Sequence, residues 1–309
     1  MRLRLGAALV AGIVIFCVAG PLVRSAPPRD PRHASLVPPL TEVTVLAFDD
    51  GSFIVAPSIR IDGHQGVAAG AGRTSTFDPS RIVDRSSYRY WLGSDRFGAD
   101  VLRDLMTGGR ISIGIAALSL LIAIIVGSTT GMAAATGGKV VDTIVMRCVD
   151  ALLAFPVLFL MILVSALVRP DPALLVLLLG LTSWMGVARL VRGQILSLKT
   201  RPFVAAATTS GSPWHRIATW HYAPNLVGPV SQDAALRLGD LVLAEATLSF
   251  LGLGVSPSVA TWGSMVAQGQ RFMPDGWWLV ILPGLAIASL VIGFALIGDG
   301  LQQRGEPTI

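Results

Sequence analysis

An all-α polytopic membrane fold of about six transmembrane helices, with a small β-hairpin inserted on the outer side, is predicted by three observations. The first is composition: 52% of the 309 residues are hydrophobic, only 14% are charged, and the mean hydropathy is +0.66. Soluble domains carry about 25% charged residues, so a chain this poor in charge is built for lipid. The second is a series of apolar runs, each long enough, or nearly so, for a hydrocarbon layer about 30 Å thick. The third is the gathering of Lys and Arg in alternate short connections, the pattern that orients spans.

Arg2 and Arg4 precede the first apolar run, Leu5 to Val23. The run is long for the apolar part of a signal peptide, and Arg24-Ser25-Ala26 makes a poor cleavage site, so residues 1–23 read as a retained anchor. Residues 24–110 form a long polar segment. Thr41 to Ala47 and Ser52 to Ile61, rich in Val, Ile, Phe and Thr, flank Asp49-Asp50-Gly51 and predict a β-hairpin. It reads as a surface decoration rather than a substrate-reading element. Gly66 to Thr76 reads as a flexible linker. Val101, Leu102, Leu105 and Met106 can lay one apolar face of a short helix in the membrane interface.

The core, residues 111–301, has runs at Ile111–Ala135, Ala151–Val168, Ala173–Ala188, Val227–Leu251 and Trp277–Ile297, followed by a tail over 302–309. With the amino terminus inside, Lys139, Arg147, Arg189, Arg192, Lys199, Arg201 and Arg216 all fall inside. Only Arg169 and Arg271 lie in the shorter outer connections, which puts both termini in the cytoplasm. The fifth span carries Asp233, Arg237 and Asp240 on one face, in i, i+4, i+7 spacing, and Glu245 beyond them. Charges in a span turn toward a bundle interior or a wet cavity. Mutual neutralisation accounts for Asp233 and Arg237, and a solute pathway is the reading for Glu245.

Between the third and fourth core runs lies a polar, basic island, Gly193 to Pro224. Pro202 suits a first helical turn, with Phe203 to Thr209 following. Gly211 sits where a helix needs a left-handed residue to stop. Ser212-Pro213 reads as an N-cap and first-turn proline for a second helix through Trp214 and Ile217, and Pro224 limits its unkinked length.

This island resembles the EAA loop of bacterial ABC-importer permeases, with Ala205-Ala206-Ala207, Gly211, Ile217 and Ala223-Pro224-Asn225 in the corresponding places. Ala188 to Lys199, Glu245-Ala246-Thr247-Leu248-Ser249-Phe250-Leu251-Gly252-Leu253-Gly254-Val255 and Thr261-Trp262-Gly263 resemble the dipeptide/oligopeptide/nickel branch of those permeases, its second subunit type. Trp91-Leu92-Gly93-Ser94-Asp95 and Gly298-Asp299-Gly300-Leu301 extend the likeness from Trp91 to Leu301. The resemblance implies a MetI-like type I importer core in a bacterial plasma membrane. It implies a heterodimer with a second permease, cytoplasmic subunits that bind the ATP, and an extracytoplasmic substrate-binding protein. It assigns ATPase docking to Phe203, Ala205, Ala206, Ala207, Gly211, Ser212, Pro213, Trp214 and Ile217. Two positions depart from the family pattern: Ala205 replaces its usual glutamate, and Ala99 a frequent arginine.

Other chemistries find no support. The chain has no G-x-x-x-x-G-K-[ST] loop, so ATP belongs to partner subunits and no cofactor to this chain. It has no H-E-x-x-H, and His33, His64, His215 and His221 are scattered, so neither a catalytic nor a metal site is expected. Cys17 and Cys148 supply no disulfide framework. No basic face with stacking groups points to nucleic acid, despite the net charge of +5. An intramembrane aspartyl protease using Asp240 and Asp299 lacks the first glycine of its G-x-G-D motif. A stand-alone channel or secondary transporter lacks clear inverted repeats or midplane ion ligands.

Overall fold

The computed structural model describes residues 1–23, 25–168, 171–255 and 259–305. Helix α1 (Arg2–Val23) opens the chain. In the polar segment between α1 and α2, β1 (Thr41–Phe48) pairs antiparallel with β2 (Phe53–Ala56) around the Asp49–Ser52 loop, as the sequence predicts. The second strand stops at Ala56, however, because Pro57 has no N–H to give a ladder. Then β3 (Ser58–Asp62), β4 (Gln65–Gly70) and β5 (Arg73–Phe77) form a separate sheet in that order. Strand β6 (Ile82–Tyr90) returns to the free edge of β1, giving the order β2-β1-β6. The insertion is therefore two three-stranded antiparallel sheets rather than one hairpin.

The Gly66–Thr76 stretch is not a flexible linker. Its two strands are joined by Ala71-Gly72, with φ of +52° and +70°. That is the mirror-image two-residue turn whose twist matches a right-twisted hairpin. The loop preceding β1 fastens both sheets: Asp30 accepts the Val55 N–H at 2.9 Å, and the His33 ring meets Ser75 Oγ at 2.8 Å.

Asp100 caps α2 (Val101–Thr136) by accepting the Leu102 N–H at 2.9 Å. This helix runs unbroken for 36 residues, so the predicted interfacial helix is only its N-terminal end, with Val101, Leu105 and Met106 buried. Trp262 closes over Gly109 and donates its indole N–H to the Leu105 carbonyl at 2.8 Å, which shields the polar stretch that might have interrupted the helix.

Helix α3 (Gly138–Leu153) stops before Pro156, and α4 (Val157–Leu167) follows. Within the predicted span Ala151–Val168 the helix is thus broken at Ala154–Pro156, and α4 is an 11-residue piece about 16 Å long. Proline disfavours the helical conformation of its predecessor and removes a donor, which accounts for the break. Asp171 caps α5 (Pro172–Lys199), which continues eleven residues past the predicted end of its apolar run at Ala188.

The island forms α6 (Pro202–Thr209) and α7 (Trp214–Ile217). A π turn, Ala218–Tyr222, leads into α8 (Ala223–Phe250). Helices α9 (Trp262–Gly269) and α10 (Trp278–Gly305) complete the chain.

Among the described residues, α1, α2, α5 and α10 are long and apolar enough to cross a membrane. Helix α8 has the length, 28 residues, but carries the charged face. The core is a single apolar cluster in which Leu120, Leu175, Leu179, Leu241, Leu248, Trp262 and Leu290 are buried, so α2, α5, α8, α9 and α10 share one interior. Helix α1 lies along α10, and Arg2 pairs with Asp299 at 3.3 Å.

Candidate functional site

The island joins the C-terminal end of α5 to the N-terminal end of α8. Pro202 opens α6 with Arg201 extended before it, where the missing N–H would have had no helical partner. The helix ends at Gly211, whose φ is +74°. There the Ser212 N–H reaches back to the Ala207 carbonyl at 3.1 Å, the six-to-one bond of a left-handed helix stop. A Cβ at Gly211 would meet nothing within 4 Å, so the glycine is needed for its backbone conformation alone. Ser212 does not cap the next helix as the sequence suggested. The cap position falls to Pro213, and its extended backbone leads into Trp214 without a side-chain bond.

Pro224 does not end the second helix. The π turn ahead of it widens the helix by one residue, which relieves the clash a proline ring makes with the carbonyl four residues back.

Val204, Ile217, Ala218, Tyr222 and Leu226 are buried against Val187, Val191 and Ile195 of α5 and Ala135 of α2. The island is thus tied to the spans by an apolar cluster of its own. Its other face is open: Phe203 is 45% exposed, Trp214 70% and Trp220 75%, while Ala205 and Ala206 are exposed and Ala207 is half-buried. Ile217, expected on the docking face, points inward instead. Trp220 was not singled out from the sequence. Ala205 borders a groove of about 490 Å³, shared with Lys199, Thr209, Trp214 and Tyr222. Lys199 donates to the Ala135 carbonyl across its base.

The arginines in and just before the island divide into two sets. Arg192 grips Asp142 of α3 with two nitrogens, the Nη2–Oδ2 bond being 2.7 Å, and Arg189 meets Asp150 at 2.5 Å. The Arg192 guanidinium holds the Asp142 carboxyl below the usual range. These pairs clamp α3 to α5 and occupy both cations. Arg201 and Arg216 remain exposed.

On α8, Asp233 and Arg237 form the expected ion pair, and Arg237 also donates to the Ser183 carbonyl at 3.3 Å. Asp240 shares the helix face but, among the described residues, takes no part in that pair. With Arg237 it borders a cavity of about 250 Å³ beside α4 and α5. Glu245 is fully buried where α8 meets α2 and α9. Ser249 donates to its Oε1 at 2.7 Å, and its Oε2 has no partner among the described residues. Asp299 and Asp240 keep separate surroundings, Asp299 with Arg2, and make no catalytic pair.

Asp233→Ala should destabilise the assembled protein more than Asp233→Ala combined with Arg237→Ala, because the single change strands a half-buried guanidinium. The expected coupling is about 1 kcal/mol, read from a thermal or denaturant double-mutant cycle in detergent. Strict additivity of the two changes would rule the pairing out.

Comparison with known proteins gives concordant results. The family model described as binding-protein-dependent transport system inner membrane component matches residues 119–309. The dipeptide transport system permease protein DppC of Alkalihalophilus pseudofirmus is 33% identical over 230 residues, covering 74% of this chain and 76% of that protein. The oligopeptide transport system permease protein OppC of Haemophilus influenzae is 35% identical over 218 residues, covering 71% and 70%. The probable D,D-dipeptide transport system permease protein DdpC of Escherichia coli is 35% identical over 239 residues, covering 75% and 80%. Among solved structures, an inward-facing form of the MetNI methionine ABC transporter superposes with a TM-score of 0.52 at 16% identity. It covers 66% of this chain and 96% of that one, a likeness of fold.

Proposed function

The chain belongs to the family of binding-protein-dependent transport system inner membrane components, and on that premise we propose that it is the permease subunit of an ATP-driven importer for peptides or similar solutes. The observation that carries this reading is the two-sided island. One side is buried with α5 and α8, and the other presents Phe203, Ala205, Ala206, Trp214 and Trp220 to the surroundings. A cytoplasmic ATPase subunit seated on that open face can pull on the spans through Val204, Ile217 and Tyr222. ATP-driven closure of the ATPases then rocks helices and switches access from outside to inside. A second permease chain completes the pathway, and a substrate-binding protein delivers solute at the outer side. The docking set is Phe203, Ala205, Ala206, Ala207, Trp214 and Trp220, with Gly211, Ser212 and Pro213 fixing the turn and Ile217 anchoring it.

Purification from native membranes should bring down an ATP-binding chain and a second permease chain. Solute flux through the purified chain alone, in liposomes without either partner, would instead make it a channel or secondary transporter.

Orientation rests on the arginine distribution and has its own test. In a Cys148→Ser background, needed because Cys148 is exposed, a cysteine at Gly63 should react with an impermeant maleimide from outside and one at Ser212 only from inside. Labelling of both from the same side would overturn the assignment.

A further inference from the structure

The outer insertion holds a second constellation that transport does not use. Ser75 Oγ lies 2.8 Å from His33 Nε2, and His33 Nδ1 lies 3.1 Å from Asp30 Oδ2. Hydroxyl, imidazole and carboxylate therefore stand in line, with the carboxylate on Nδ1 and the hydroxyl on Nε2. That order fixes the tautomer: the proton on Nδ1 faces Asp30, leaving the Nε2 lone pair toward Ser75.

The carboxylate is secured as an orienting group must be. Asp30 is 6% exposed and accepts N–H bonds from Arg32 and Val55 at 2.9 Å and from His33 at 3.2 Å. Burial works against its charge, but these N–H groups and the His33 ring outweigh it and hold the carboxyl below the usual range.

The hydroxyl end is open. His33 and Ser75 border a cavity of about 460 Å³ that Phe48, Phe53 and Phe77 line with apolar surface and Arg32 borders with charge. Arg32 is exposed and makes no ion pair among the described residues. Ser75 lies on β5, the edge strand of its sheet. Gly70 and Arg73 close the two-residue turn, and counting from that hydrogen-bonded pair turns the Thr76 N–H away from β4, toward the free edge. A backbone donor not bonded to β4 thus sits on the residue next to the hydroxyl, where an acyl oxyanion needs one.

We propose that Asp30, His33 and Ser75 form a hydrolytic relay on the outer face, acting on small acyl esters or peptides that carry a carboxylate for Arg32. Ser75 Oγ attacks the acyl carbon while His33 Nε2 takes its proton. His33 then passes that proton to the departing alkoxide or amine as its bond to the acyl carbon breaks, leaving an ester on Ser75. Water attacks this ester with His33 again accepting the proton, the acid is released, and the Ser75 hydroxyl is restored. No oxidant, metal or cofactor enters the balance. Asp30, His33 and Ser75 match no catalytic motif and meet only when the loop before β1 crosses both sheets.

The test uses the full chain in detergent micelles and a fluorophosphonate bearing a reporter group. Formation of the Ser75 O–P bond with loss of fluoride should label the wild type, and peptide mass spectrometry should map the adduct to Ser75. Ser75→Ala should abolish the label, and His33→Gln should slow it at least a hundredfold. Asp30→Asn should slow it less than His33→Gln. Because Asp30 also secures backbone, Ser75→Ala and His33→Gln are the deciding variants, checked for wild-type thermal unfolding. Ser75 unlabelled in folded wild type, or labelled equally in His33→Gln, would overturn the proposal. ATP-driven uptake should be unchanged in Ser75→Ala, so this experiment and the importer reading stand or fall separately.

Discussion

Gly211→Val should leave the membrane-spanning helices inserted and cut ATP-driven uptake about tenfold or more, while the ATPase subunits still hydrolyse ATP. The residue lies outside every span and a Cβ there meets only open space, so neither insertion nor packing is at stake. What changes is the backbone. At φ +74° an L side chain costs about 1–2 kcal/mol, and a β-branched one is strained further. Relaxing that strain lets α6 leave its fixed relation to α7, so the docked face no longer moves as one body with Val204 and Ile217. Each 1.4 kcal/mol lost from the coupled arrangement lowers its population roughly tenfold. Gly211→Asn should do less harm, since asparagine tolerates the left-handed region. Uptake and hydrolysis measured together in proteoliposomes decide the matter, and coupled uptake at the wild-type rate in the valine variant would show that the turn carries no function.

The fold class was legible because the signals behind it are local. Apolar runs mark α1, α2, α5 and α10 whatever their neighbours do. Pro202 and Gly211 announced the ends of α6 through backbone chemistry that needs no tertiary context. Failures came where tertiary packing overrode local composition. Gly66 to Thr76 looked flexible because glycine and alanine are weak strand formers, yet a two-residue turn and a neighbouring strand ordered it. Met106 to Ile111 looked like a boundary until Trp262 covered it. The break at Pro156 within its apolar run is hidden from hydropathy, which counts residues and ignores a missing donor.

The island was read at the right place but its two faces were not separated. Helical spacing gives the angle between residues but not which of them meets a neighbour, and here Ile217 packs inward while Trp220 is exposed. Glu245 shows a similar limit. A carboxylate in an apolar run signals a functional cavity or an internal contact alike, and its burial and its bond to Ser249 appear only once the helices are packed.

Ala206→Trp tests the central claim most directly. Ala206 is exposed on α6, between Ala205 and Ala207, so an indole there has room in the isolated chain and should not disturb its fold. It occupies instead the space a docked ATPase subunit needs, since small residues let two backbones approach closely and a tryptophan holds them apart. With the usual family glutamate replaced by Ala205, shape complementarity carries more of the contact, and the loss should be correspondingly large. The measurement is the amount of ATP-binding chain that co-purifies with each variant, followed by substrate-stimulated hydrolysis after reconstitution. Loss of most of the bound ATPase and of the stimulation, with the permease itself unfolding at the wild-type temperature, is the predicted result. Normal stoichiometry with normal stimulated hydrolysis would mean that the ATPase docks elsewhere, and the coupling role of the island would fall with it.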